Sequence, residues 1–206
     1  MNSKLNPKPN LPAWFGLLLL ALWLFPSTAS AHQETGTVWG FRSGFVHPLT
    51  GLDHIAAMVA VGLWGVFLGA PAMWVLPVVF PLVMAFGGAL GVLGVPLPGV
   101  ETGIALSSVI LGIAVAFAVR PPLWVAALIV GSFAIFHGHA HGAEMPKAAN
   151  AATYAFGFVV ATGLLHLSGI ALGLLVRWSW GKNLVRVGGV AIAFVGFGFL
   201  FHFIPA

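Results

Sequence analysis

Only eight Lys or Arg and four Asp or Glu residues occur in the 206-residue chain, and this shortage of charge constrains its fold more than any other feature. Charged residues make up 6% of the sequence and hydrophobic ones 60%, with a mean hydropathy of +1.04. A soluble domain draws about 25% of its residues from Asp, Glu, Lys and Arg to cover its surface. A chain this poor in charge needs another solvent, and a lipid bilayer fits. The isoelectric point near 10.2 would suit a nucleic-acid binder. The net charge of +4 is instead scattered at the ends of apolar runs, with no basic patch, so nucleic acid is excluded as a partner. The chain has no Cys, hence no disulfide, and any bound metal must take nitrogen and oxygen ligands.

Residues 1–31 read as a secretory signal peptide. Lys4 and Lys8 precede a short apolar run at 14–25, Pro26-Ser27-Thr28 breaks it, and Ala29-Ser30-Ala31 fits the small-x-small cleavage rule. Cleavage there leaves His32 as the mature N-terminus, where its amine and ring together can chelate a metal. Residues 32–206 read as one domain, an all-α membrane protein with six transmembrane helices, at about 45–69, 72–94, 101–119, 122–141, 149–176 and 185–204. The intervening breaks are too short for a soluble domain. With the N-terminus outside, Arg120, Arg177, Lys182 and Arg186 fall on the cytoplasmic side and only Arg42 and Lys147 on the other, as positive-inside asymmetry requires. The expected location is a bacterial inner membrane, with both mature termini periplasmic. Gly87/Gly91 and Gly169/Gly173 have the small-xxx-small spacing that lets helices approach closely in lipid.

Against this apolar background the ionisable residues stand out, because each is costly at membrane depth and is by default a candidate for function. The first cluster is His47-Pro48-Leu49-Thr50-Gly51-Leu52-Asp53-His54. On one continuous helix, His47 and His54 would share a face with Asp53 one step round, and Pro48 would suit its first turn. The second is His137-Gly138-His139-Ala140-His141-Gly142-Ala143-Glu144. His137, His141 and Glu144 fall at i, i+4 and i+7 on one stripe, His139 points elsewhere, and Gly138 and Gly142 are expected to loosen the helix. Glu101 begins the third span, where a helix dipole alone would favour a carboxylate. His166 lies within the fifth span beside Thr162, and His202 near the C-terminus. The expected topology puts both clusters and Glu101 on the periplasmic half. Two clusters on spans of opposite direction, three spans apart, suggest a 3+3 inverted repeat.

Imidazole and carboxylate without sulfur suit Ni, Co, Zn, Mn or Fe(II), disfavour Cu(I), and are too rich in nitrogen for Mg or Ca. A transported ion needs no resident cofactor. The same groups would also serve a membrane hydrolase with a zinc-bound water or a b-type haem carrier with axial His from two helices.

The two clusters, with Ala57-Met58-Val59-Ala60-Val61-Gly62 after the first, and the run from Tyr154-Ala155-Phe156-Gly157-Phe158 to Ala161-Thr162-Gly163-Leu164-Leu165-His166, resemble the HupE/UreJ family of nickel permeases. A signal peptide followed directly by His is also similar to that family. The resemblance covers essentially the whole mature chain. It implies a secondary permease, not an enzyme, that moves Ni2+, or Co2+, into the cell and is thereby linked indirectly to hydrogenase or urease maturation. It also implies that His47, Asp53, His54, Glu101, His137, His141 and Glu144 handle the ion, with His139 and His166 as further members.

Overall fold

The computed structural model describes residues 37–146 and 149–203. The expected signal peptide, His32 and Glu34 lie outside the described residues, as does Lys147. Every element is helical: α1 (Thr37–Val46), α2 (Leu52–Leu68), α3 (Ala72–Val92), α4 (Val100–Ala116), α5 (Leu123–Ala143), α6 (Ala151–Gly173) and α7 (Ser179–Leu200), with 3-10 turns at His47–Leu49 and Leu174–Arg177. Four helices, α3, α5, α6 with its following turn, and α7, are long and apolar enough to cross a membrane. A fifth crossing arises if α1 and α2 are taken together, although they meet at 77°. The third apolar segment forms the 17-residue α4. At about 1.5 Å per residue it reaches about 25 Å, short of a hydrocarbon core about 30 Å thick.

The first expected span, 45–69, is therefore not one straight helix. Pro48 has no N–H to continue the α-ladder and sits instead at the start of the 3-10 turn. Gly51 is extended (φ −86, ψ 114) and begins α2 afresh. The Thr50 hydroxyl donates to the His47 carbonyl at 2.7 Å across the bend. The 10-residue α1 that precedes it was not legible as a separate helix, since its Gly, Ser and Arg interrupt the apolar run.

Close contacts pair α3 with α5, α4 with α7 and α2 with α6, and α1 also lies along α6. Exchanging the first three long helices for the last three (α2 with α5, α3 with α6, α4 with α7) maps these three principal pairs onto one another. It also maps the α4–α5 contact onto the α2–α7 contact. The contacts of α2 with α3 and α4 have no comparably close counterpart, so the correspondence is partial and α2 is the more central helix.

Glycines set these approaches. Gly87 and Gly91 face the α5 backbone at Ile135 and His139, and Gly169 faces Val59 and Gly62 of α2. Gly138 and Gly142 do not loosen α5, which runs unbroken to Ala143. A Cβ at Gly138 would meet the Met84 carbonyl and one at Gly142 the Gly88 carbonyl. The glycine stripe thus seats α5 against α3, and the neighbouring stripe of His137 and His141 turns to the bundle interior. At the opposite end, Arg186 Nε donates to the Ala116 carbonyl at 2.6 Å and Trp64 Nε1 to the Val119 carbonyl at 2.8 Å. Arg120, Arg177, Lys182 and Arg186 all belong to helix ends on that side, away from the histidines.

Candidate metal centre

Helix directions bring the start of α2, the end of α5 and the start of α6 to one end of the bundle, and the histidines meet there. His54, on the first turn of α2, and His137, six residues before the end of α5, are fully buried. His54 Nδ1 lies 3.2 Å from His137 Nδ1 and 3.1 Å from His141 Nε2. Two nitrogens each about 2.1 Å from one ion stand about 3.0 Å apart at a right angle and about 3.4 Å apart at the tetrahedral angle. Both spacings from His54 are thus those of neighbouring ligands on a single divalent ion.

The neighbouring hydroxyls bear on which nitrogens are free. Ser107 on α4 donates its hydroxyl to the Ile104 carbonyl at 2.6 Å, and its oxygen lies 2.9 Å from His137 Nε2. With that proton committed, the Ser107 oxygen accepts from His137 Nε2–H, which leaves His137 Nδ1 bare. His54 Nε2 faces the Thr162 hydroxyl of α6 at 3.4 Å, which can accept a hydrogen bond from an N–H there, and in that tautomer His54 offers Nδ1 to an ion as well. The inner group of ligand atoms is His54 Nδ1, His137 Nδ1 and His141 Nε2, all within 4.8 Å of one another.

A second group of three stands beside it. His47 Nε2 lies 2.8 Å from His141 Nδ1 and 3.2 Å from Glu144 Oε2, while His141 Nδ1 is 3.8 Å from the same oxygen. Glu144 is exposed, His47 partly so, and both line a cavity of about 760 Å³ with Asp53, Glu101, His139 and His202. His141 therefore offers one ring nitrogen to each group. The bend at Pro48–Gly51 makes this possible, because it sets His47 outward of His54 with the His141 ring edge-on between them, 4.8 Å from each centroid.

Of the other expected ligands, Asp53 accepts the His54 backbone N–H at 2.7 Å. It steadies the first turn of α2, whose glycine N-cap has no side chain to do so. Its carboxylate belongs to neither convergent group, though it faces the cavity. Glu101 is exposed in the first turn of α4 and borders the cavity too. His139 points away from the histidine stripe, with Nε2 2.7 Å from the Val95 carbonyl, and pins the loop between α3 and α4. His166 is wholly buried one turn beyond Thr162 and joins neither group. Residues the histidine motifs do not flag line the site: Ser107, Phe158, whose ring lies tilted 4.6 Å from His141 and edge-on 5.2 Å from His54, and Tyr154. Ser107-Ser108 is a hydroxyl pair in an otherwise apolar segment, and that rarity was the available signal.

Comparison with known proteins agrees with the motif pattern. The family model described as HupE / UreJ protein matches residues 20–199. Protein HupE of Rhizobium leguminosarum bv. viciae is 48% identical over 180 residues, covering 86% of this chain and 92% of that protein. No solved structure matches. With the family pattern spanning nearly the whole chain and its histidine clusters gathered at one end of a helical bundle, the chain belongs to the HupE/UreJ family.

Proposed function

We propose that the chain is a secondary permease for Ni2+, with Co2+ as its nearest competitor, importing the ion across a bacterial inner membrane to supply metalloenzymes such as hydrogenase or urease. The observation that carries this reading is the inner group: His54 Nδ1 stands 3.2 Å from His137 Nδ1 and 3.1 Å from His141 Nε2, and Ser107 leaves His137 Nδ1 bare. Neutral nitrogen donors in a buried site suit a borderline dication. Family membership supports nickel as that ion. The segregation of Arg120, Arg177, Lys182 and Arg186 to the far end supports a periplasmic position for the histidine end. No feature of the site or of its relative favours a hydrolase.

The geometry supports a two-step capture. A hydrated ion gathers in the cavity bordered by Asp53, Glu101 and Glu144, where carboxylates offset its charge. It exchanges water for His47 Nε2, His141 Nδ1 and Glu144 Oε2. Moving inward, it leaves His141 Nδ1 and binds His141 Nε2 together with His54 and His137. A neutral imidazole has one lone pair, so His141 must carry its proton on Nε2 in the first step and on Nδ1 in the second. In the second state Nδ1–H donates to His47 Nε2. His141 thus serves both groups in turn: it releases the ion at Nδ1, its proton moves from Nε2 to Nδ1 by exchange with water in the cavity it lines, and the ring takes the ion up again at Nε2. An inside-negative potential drives a dication inward by about 4.6 kcal/mol per 100 mV.

The test is accumulation of radioactive nickel in cells that lack their own nickel transporters, with cobalt and zinc as competitors. Wild type takes up nickel, and Asp53→Ala and His137→Ala do not at matched membrane levels. A wild type that accumulates none of these metals would refute the proposal.

A further inference from the structure

Beyond the two groups, α6 carries a ridge of side chains four residues apart: Tyr154, Phe158, Thr162 and His166. The ridge follows the sequence of ligands. Tyr154 lies against His47, with ring centroids 6.2 Å apart. Phe158 packs on His141 and His54. Thr162 faces His54 Nε2. His166 is next, about 6 Å deeper at 1.5 Å per residue. It stands about 22 Å from the first residue of α6 and about 10 Å from the last, well beyond the middle of the helix.

His166 is also the most anomalous polar group in the bundle. Its ring has no exposed surface, and neither nitrogen has a hydrogen-bond partner. Among the described residues, the buried side-chain nitrogen or oxygen atoms without a partner are these two and the Tyr154 hydroxyl. All three lie on the one ridge, at its two ends. Buried polar atoms are otherwise almost always satisfied, and an exception calls for a ligand or a function. A dry packing role would be served better by Leu. The ring is connected to the inner group, because Phe80 of α3 touches both His137 and His166, at 5.6 and 5.5 Å between centroids.

We propose that His166 is a third, inner ligand station for the divalent cation. It accepts the ion after His54 and His137 and holds it with one imidazole nitrogen while water and the Thr162 hydroxyl complete the shell. This inference rests on the permease reading above and adds to it the inward route along α6. A single-imidazole stop is weaker than the three-nitrogen group, as release toward the far end requires.

The experiment compares purified wild type, His166→Leu, His166→Gln and His137→Ala, reconstituted in liposomes with equal pH on both sides so that nickel runs downhill without a proton gradient. Nickel binding in detergent is measured on the same samples. Expected for both His166 variants is at least a ten-fold loss of nickel flux, with binding affinity within two-fold of wild type and an unchanged thermal midpoint. His137→Ala loses binding and flux together. Flux within two-fold of wild type in either His166 variant overturns the proposal. So does loss of binding or of folded protein in both, which would make His166 a packing residue. If wild type itself carries no nickel, the permease reading fails and this inference falls with it, an outcome distinct from a defect confined to the His166 variants.

Discussion

Replacing Ser107 with Ala tests the inner group through a residue that never touches the ion. In the wild type the Ser107 oxygen accepts His137 Nε2–H at 2.9 Å and keeps His137 Nδ1 bare. Without that acceptor, the free protein relaxes by moving the proton to Nδ1, where it can donate to His54 Nδ1 at 3.2 Å. Metal binding must then break this new bond and return a proton to a buried Nε2 that has no partner. A buried hydrogen-bonding group left unsatisfied costs about 1–3 kcal/mol. At 1.4 kcal/mol per tenfold, that is about a 5- to 150-fold loss of affinity, in line with the 10- to 100-fold effects typical of residues that orient a metal-bound His. The assay is calorimetric titration of Ni2+ into purified protein in detergent. Ser108→Ala is the control, since Ser108 donates to the Asp53 carbonyl at 3.3 Å and not to a ligand. Ser107→Ala binding nickel within two-fold of wild type would show that the His137 tautomer is not set by Ser107, and the assignment of bare nitrogens would fall with it.

Glu144→Ala removes only the exposed member of the outer group. Initial uptake should fall several-fold at low nickel and recover at high nickel, while binding at the inner group in detergent stays within two-fold. His139→Ala loses the bond to the Val95 carbonyl and should lower stability by about 1 kcal/mol with nickel affinity unchanged, as read by thermal unfolding and titration; a lost affinity would place His139 in the ligand set. Gly138→Ala drives a methyl group into the Met84 carbonyl. It should destabilise by about 1–3 kcal/mol, whereas Gly163→Ala, with open space around it, should be neutral or gain up to about 1 kcal/mol. Similar unfolding midpoints for these two glycine variants would refute the packing argument.

What was legible in the sequence follows from regularity. His137 and His141 sit on an uninterrupted helix that Glu144 caps in a helical conformation, so i, i+4, i+7 spacing sets His141 between its two neighbours. The same rule applied to His47 and His54 assumed a helix that Pro48 and Gly51 interrupt. The two rings do approach a common partner, but through His141 and from either side of a bend. Gly138 and Gly142 were read as local flexibility because a periodicity argument sees one helix at a time. Their role depends on α3, which no spacing on α5 can reveal. Ser107 and Thr162 were obscure for the same reason: a hydroxyl decides an imidazole's tautomer only once another helix brings the two together.

The sharing of His141 has a kinetic consequence. Multi-ion pores move charge quickly because an arriving ion repels the one ahead. Here the ligand that would receive a newcomer is the ligand the occupant still holds, so the pair of groups has a waiting line of one. Flux should saturate hyperbolically with a Hill coefficient of one, and its ceiling should be the residence time at the inner nitrogens. Such a carrier is suited to a scarce metal: it gains retention at trace supply and gives up speed when the metal is plentiful.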